Sequence, residues 1–159
     1  MLWRARRIAL YLPRDGELDP GPLGQLLLQR QCQLFLPVID PLRGGGRLLR
    51  FARWQPGHST LQPNRFRIPE PMGRRTPAWS LDLVLLPLVA FDRHGNRLGM
   101  GGGFYDRSFA DRKQRPRRPL LVGLAHACQE LPDLPAAPHD VPLDAIVTDQ
   151  ECILATGSG

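Results

Sequence analysis

The chain has a single lysine, three cysteines, few aromatic residues and no apolar run long enough to cross a bilayer. Each shortage excludes something. A spanning helix needs about 20 consecutive apolar residues, and the apolar stretches here stop well short of that. Cys32, Cys128 and Cys152 form no C-x-x-C pair and no metal-ligand spacing, so neither a disulfide framework nor a zinc module is encoded. They read as small, partly buried thiols. The apolar stretch behind the basic residues Arg4, Arg6 and Arg7 ends at Pro13, too short for a secretory signal core. A cytoplasmic protein without a membrane segment is expected. Aromatic residues make up 7%, little for the stacking platforms of RNA-reading modules. Nucleic acid is therefore not the expected partner, despite a net charge of +6 and a pI near 10.2. Also missing are G-x-S-x-G, H-E-x-x-H and any Cys–His pair with catalytic spacing. His126 and Cys128, two apart at a strand end, read as structural.

What is present is an alternation of strand and helix signals over 159 residues, enough for one domain. Ile8–Leu12 is a short apolar run, and Asp19-Pro20 opens a helix carrying Leu23, Leu26, Leu27 and Arg30 at helical spacing. Gln33–Val38 returns as a strand, which completes a βαβ outline. A turn at Gly44–Gly46 and a strand at Leu48–Trp54 follow. The Pro-, Gly- and Arg-rich stretch Gln55–Trp79 reads as an ordered excursion over the surface. Leu83–Val89 is the strongest strand, its unbroken apolar character suiting a central position, with Pro87 ending its ladder. A helix over Tyr105–Lys113 and strands at Leu120–Ala125 and Ala145–Thr148 complete the pattern. The expected architecture is a three-layer, Rossmann-like α/β single domain, residues 1–154, with a mostly parallel central sheet and a flexible tail, 155–159.

The segment from Phe91 to Arg107 carries the chemistry. It follows the most buried strand, where an open α/β sheet places its ligands. Gly99, Gly101, Gly102 and Gly103 lie within five positions, so the backbone can approach an anion without a Cβ in the way. Amides there point at negative charge, and Arg97 and Arg107 flank the loop as phosphate clamps. A Walker loop is excluded, because Phe104-Tyr105 stands where lysine and Ser/Thr are needed. A dinucleotide fingerprint would need glycine in place of Phe104. Asp106 is electrostatically wrong in an anion site unless a cation joins it, and Mg²⁺ held by carboxylates and phosphates resolves the conflict.

With these residues in view, the run Leu83–Arg107 closely resembles the hallmark region of the 5-formyltetrahydrofolate cyclo-ligase family. Tyr11–Asp19, Asn64–Pro71 and Asp140–Asp144 resemble further segments of that family. The resemblance implies an ATP- and Mg²⁺-dependent conversion of 5-formyltetrahydrofolate to 5,10-methenyltetrahydrofolate, with release of ADP and phosphate. It further implies that Arg97, Leu98, Gly99, Met100, Gly101, Gly102, Gly103, Phe104 and Tyr105 line the ATP phosphates. Arg97 and Tyr105 would serve catalysis, and Asp106 and Asp140 would hold Mg²⁺. Leu12 and Glu17 would contact the reduced folate together with Met100–Phe104. Small-molecule partners and a monomer are expected. The family has a helical segment with basic residues before its first strand, which Arg4, Arg6 and Arg7 do not match. That departure motivates a second reading, a catalytically weak folate- or nucleotide-binding relative with a regulatory or storage role. The basic run Arg112–Arg118 reads either as a solvated connection or as an attractor for the nucleotide or a polyglutamate tail.

Overall fold

A computed structural model describes residues 4–41 and 47–156. The expected turn at Gly44–Gly46 lies outside them, as do the last three residues of the expected tail.

The chain opens with strand β1 (Arg7–Ala9) and helix α1 (Gly21–Gln29), then a long hairpin of β2 (Gln33–Pro41) and β3 (Arg47–Trp54). The helix starts where the sequence predicts. Asp19 Oδ1 accepts the Gly21 N–H at 2.8 Å and proline sits in the first turn. Gly24 is there for packing: a Cβ on it would stand 2.9 Å from Leu10 Cδ1, so its absence lets α1 lie close on the sheet.

The surface excursion is ordered by short pairings. Strand β4 (Leu61–Pro63) pairs with β5 (Pro69–Pro71), and β6 (Arg75–Thr76) adds to the edge of β3. Central strand β7 (Leu83–Pro87) ends at Pro87, as expected of a residue without an N–H. Next comes a small hairpin, β8 (Ala90–Phe91) and β9 (Arg97–Leu98), which sequence patterning merges into the glycine loop. After helix α2 (Phe104–Ser108) the sheet is completed by β10 (Leu120–Leu124), β11 (Ala145–Val147) and β12 (Cys152–Leu154).

The eight-stranded sheet runs β12-β11-β10-β7-β1-β2-β3-β6. Its five middle strands, β11 to β2, are parallel, and antiparallel strands flank them at both edges. Alternate residues of the central strands serve opposite faces. Ile8, Leu34, Leu83 and Leu85 meet Leu27 and Leu28 of α1 on one side. Ala9, Phe35, Val84 and Leu86 meet Phe51, Phe91 and Phe109 on the other. Helix, sheet and the α2 layer are the three layers expected.

Two expectations are corrected. The helix predicted over Tyr105–Lys113 closes at Ser108, and a single 3-10 turn at Arg112–Gln114 follows. Tertiary contacts override the helical pattern. Phe109 turns into the core beside Phe51, and Arg112 is buried, its guanidinium paired with Asp144 and its Nε–H donating to Pro119 O at 3.1 Å. Second, Ala145–Val147 is not the last strand. Edge strand β12 is too short, with one buried residue between two exposed ones, to produce a readable period. Beyond it, Ala155 N–H donates to Asp144 O at 3.0 Å and Thr156 N–H to Arg93 O at 3.2 Å.

The β8–β9 turn is built tightly. Asp92 is fully buried, and its carboxylate accepts from the His94, Asn96 and Leu134 backbone N–H groups and from Asn96 Nδ2. Burial pushes its pKa up, but these four donors outweigh it and hold the carboxyl below its usual range. Gly95 sits at φ +91°, and a Cβ there would come within 2.6 Å of Leu143 O and 2.9 Å of Ala155 Cβ. Neither neighbour is a flexible side-chain end. Gly95→Ala should therefore cost about 3 kcal/mol of stability, combining left-handed strain and a backbone clash. Urea denaturation measures this, and a loss below ~1 kcal/mol would show that the hairpin yields.

Candidate active site

The order of the sheet reverses between β1 and β7. From β1 the chain moves to β2 on one side, and from β7 it moves to β10 on the other. Ligand crevices in open α/β sheets form at such a reversal, beyond the carboxyl ends of the strands. Three segments leave the sheet there.

The first follows β1. Tyr11 is buried and its hydroxyl donates to Leu18 O. Between them the chain turns at Asp15 and Gly16, both at positive φ, which brings Glu17 back onto Arg14. Glu17 N–H donates to Arg14 O at 2.9 Å, and Glu17 Oε2 accepts the Arg14 N–H at 2.9 Å. Its other oxygen has no hydrogen-bond partner among the described residues. His126, at the end of β10, braces this turn with Nε2 3.3 Å from Gly16 O.

The second is the glycine loop. Arg97 leaves β9 pointing inward, its side chain only 8% exposed. Met100 at the loop's crest is 82% exposed, and Cβ atoms on Gly99 or Gly101 would meet nothing within 4 Å. The loop thus presents bare backbone to open space. Gly101 at φ +87° and Gly103 at φ +62° supply the left-handed steps that turn the chain into α2. Phe104, the first residue of that helix, packs partly against the core and sets its ring edge-on to Phe66, with centroids 6.2 Å apart.

The third is the connection from β10 to β11, which meets α2 through Asp106. Asp106, 17% exposed, accepts through Oδ1 from Arg97 Nη2 at 2.9 Å and from the Val141 N–H at 3.0 Å. Asp140 is the residue before Val141. Asp140 Oδ2 accepts the Ala137 N–H at 2.7 Å, and its Oδ1 lies 3.7 Å from His139 Nε2.

Electrostatics ties the segments together. The Tyr105 hydroxyl is pushed well up by burial, with the Arg97 charge opposing the rise and the Glu17 charge adding to it. Tyr11 is pushed up by burial first, then by Glu17, Tyr105 and Asp19. Both hydroxyls stay protonated at physiological pH and remain hydrogen-bond donors. Arg97, Tyr105, Asp106 and Glu17 are thus within interaction distance of one another, while no hydrogen bond or ion pair among the described residues joins Leu12 or Asp140 to them. The sequence alone assigns no role to Tyr11 or Phe66, because their contributions depend on contacts between distant segments.

The basic run Arg112–Arg118 is a different matter. It precedes β10, at the opposite end of the parallel strands from the glycine loop. Arg112 is spent on Asp144, and Arg115 pairs with Asp111 and covers the Trp79 ring at 4.0 Å. Arg117 borders a groove of about 280 Å³ with Arg4, Arg6, Arg7 and Asp82. Its placement argues against any role for this run at the crevice.

One atom in the crevice is unexplained by the protein itself. Arg97 Nε is buried and has no hydrogen-bond partner, the one such side-chain atom among the described residues. A buried donor left unpaired costs about 1–3 kcal/mol, so its retention points to an acceptor brought by a ligand.

The sequence profile of the 5-formyltetrahydrofolate cyclo-ligase family matches residues 2–149. The chain is 42% identical over 147 residues to the 5-formyltetrahydrofolate cyclo-ligase of Escherichia coli K12, covering 91% of this chain and 78% of that one. It is 41% identical over 143 residues to the Haemophilus influenzae enzyme of the same name, covering 88% and 74%. Among solved structures, the Aquifex aeolicus 5,10-methenyltetrahydrofolate synthetase superposes with a TM-score of 0.75 at 32% identity, over 99% of this chain and 75% of that one. With profile, sequence and fold in agreement, the chain belongs to the 5-formyltetrahydrofolate cyclo-ligase family.

Proposed function

We propose that this chain converts 5-formyltetrahydrofolate to 5,10-methenyltetrahydrofolate, consuming ATP and releasing ADP and phosphate. The observation that carries the reading is Arg97. A buried guanidinium with one N–H unpaired, beside a bare glycine loop, fits an incoming phosphate oxygen. The reaction needs that kind of site. The formyl oxygen attacks the γ-phosphorus, the bond to ADP breaks, and the formyl carbon becomes an activated imidate phosphate. The neighbouring folate nitrogen, having lost its proton, then closes onto that carbon, and phosphate departs with the former formyl oxygen. Positioning and charge neutralisation dominate such chemistry, so no nucleophilic side chain is required.

In this reading Arg97 and the loop amides, Leu98 to Phe104, orient the phosphates. The Tyr105 hydroxyl, held neutral by its surroundings, donates to an oxygen near the transferred group. Glu17, with one oxygen unoccupied, accepts from the N–H groups of the pterin ring, and Leu12 lines the same side. The carboxylates also fit Mg²⁺. Asp106 Oδ2 accepts no hydrogen bond among the described residues, and Asp140 Oδ1 has only the distant His139. No group of three or more His, Cys, Asp or Glu side chains gathers among the described residues, so a cation here would complete its shell from phosphate and water. Bound there, Mg²⁺ would neutralise phosphate charge.

Mixing protein, ATP, Mg²⁺ and 5-formyltetrahydrofolate should give the absorbance of the methenyl product, with omission of any one component abolishing it. Folate binding by calorimetry without product would overturn this reading in favour of a binding-only relative.

A further inference from the structure

Three neighbouring parallel strands, β10, β7 and β1, end side by side at the crevice, and one side chain ties together the segments that leave them. Gln129 lies in a single 3-10 turn, Ala127–Gln129, just beyond β10. Its Oε1 accepts the His126 N–H at 2.7 Å, and its Nε2 donates to Leu88 O and Val89 O, each at 2.9 Å. Both carbonyls lie past Pro87, the last residue of β7 paired with β10, so the sheet ladder does not serve them. Val89 in turn donates its N–H to Leu98 O at 2.7 Å, at the entry to the glycine loop. On the other side His126 Nε2 stands 3.3 Å from Gly16 O, in the turn that carries Glu17. Gly16 O can only accept, so Nε2 holds the hydrogen. A continuous series of bonds therefore runs from the Glu17 turn through His126, Gln129 and Val89 to Leu98.

We infer that Gln129 is a positioning residue, which with His126 fixes the glycine loop against the Glu17 turn and so couples nucleotide binding to folate binding. The inference rests on the function proposed above, in which the loop takes phosphates and Glu17 takes the pterin. Phosphoryl transfer between two bound substrates depends on their register, and a misplacement of about 1 Å costs ~10²-fold in rate. No hydrogen bond among the described residues joins the Glu17 turn to the glycine loop directly, so their relative position is held across Gln129. A carboxamide suits the place because it accepts from His126 and donates twice. A carboxylate lacks the donors, and an apolar chain lacks both. A ligand that orders one segment through this series lowers the cost of ordering the other. A side chain that merely capped the 3-10 turn would affect stability and leave the two ligands independent.

Calorimetry gives the Kd of 5-formyltetrahydrofolate with and without saturating ADP and Mg²⁺, in the parent protein, Q129M, H126F and Q150M. ADP lacks the γ-phosphoryl group, so no turnover occurs. The parent should bind the folate roughly 10-fold more tightly with ADP present, a usual size for coupled sites. In Q129M and H126F that ratio should fall to within about twofold of unity, while the Kd of each ligand alone moves less than about threefold. Q150M removes an exposed amide from the β11–β12 turn, at the same end of the sheet, and should keep the parent ratio. Leu131 N–H donates to Phe91 O at 2.8 Å independently of Gln129, so Q129M should still fold. A parent ratio of unity, a ratio preserved in Q129M or H126F, or an equal collapse in Q150M would each overturn the inference. So would a Q129M protein that loses affinity for both ligands alike, which marks a structural role. Failure of the proposed function shows separately, as a parent protein that does not bind folate or nucleotide. Hydrogen exchange in the free protein then decides: faster exchange of the Val89 N–H in H126F supports the series, and an unchanged rate overturns it.

Discussion

Replacing Arg97 with alanine should lower kcat/KM by roughly 10³-fold, about 4 kcal/mol of transition-state stabilisation. Three features make this the most damaging single change in the crevice. The side chain is 8% exposed, so water replaces its charge poorly. Its Nε–H has no partner in the protein and is free for a phosphate oxygen. Its Nη2 donates to Asp106 at 2.9 Å, so the change also strands a carboxylate that is 17% exposed. That last effect threatens stability, because a shielded charge that loses its partner costs about 3 kcal/mol. The assay must therefore run well below the unfolding midpoint of the variant. Arg97→Lys separates charge from geometry. A lysine restores the positive charge but has no Nε–H and no planar fork, so it should recover about 10-fold at most. Added guanidinium ion should partly rescue the alanine variant and leave the parent protein unaffected. A kcat/KM within threefold of the parent would reduce Arg97 to a structural partner of Asp106.

Much of this site is legible in the sequence because it is local. Gly99–Asp106 is contiguous, follows a strand that is buried on both faces, and contains a carboxylate that an anion loop would not tolerate alone. Residue order by itself reads this segment as a glycine-rich anion loop; the specific chemistry proposed for it comes from the resemblance to the family. The fold is legible for a related reason. The βαβ opening and the Leu83–Pro87 strand announce a parallel sheet through unbroken apolar runs. What escapes depends on distant pairing. The β8–β9 hairpin is two residues a side, and Asp92 and Gly95, which hold it, look like an ordinary polar turn until Leu134 N–H and Leu143 O are set against them. The helix after the loop reads too long because Phe109 and Arg112 carry a helical pattern, yet Phe51 and Asp144 claim them. Basic residues mislead in the opposite sense. The obvious run, Arg112–Arg118, lies at the opposite end of the parallel strands from the glycine loop, whereas Arg47 and Arg65, distant in sequence from Phe104 and Arg107, reach them only through the β2–β3 hairpin and the β4–β5 loop.

Asp106→Asn should raise the Mg²⁺ concentration for half-maximal activity at least ~30-fold, about 2 kcal/mol, and lower kcat roughly 10²-fold. Asparagine keeps the shape, and its side-chain oxygen can still accept from Arg97 Nη2 and the Val141 N–H, the two bonds that Asp106 Oδ1 makes. What it loses is charge, together with the second carboxylate oxygen that is unengaged among the described residues. The fold should therefore hold within ~1 kcal/mol while the metal dependence changes, and this combination distinguishes a cation ligand from a structural acid. Asp140→Asn supplies the comparison. Its Oδ2 accepts the Ala137 N–H, and among the described residues it pairs with no arginine. If both residues face the cation, Asp140→Asn should shift the Mg²⁺ profile in the same direction by a smaller factor, since an exposed ligand is more easily replaced by water. Calorimetric titration of Mg²⁺ with ADP present gives the same comparison without turnover. Should Asp106→Asn lower the melting temperature and leave the Mg²⁺ profile unmoved, Asp106 is a partner for Arg97 and Val141 alone, and the charge of the phosphates must be met by arginines and loop amides.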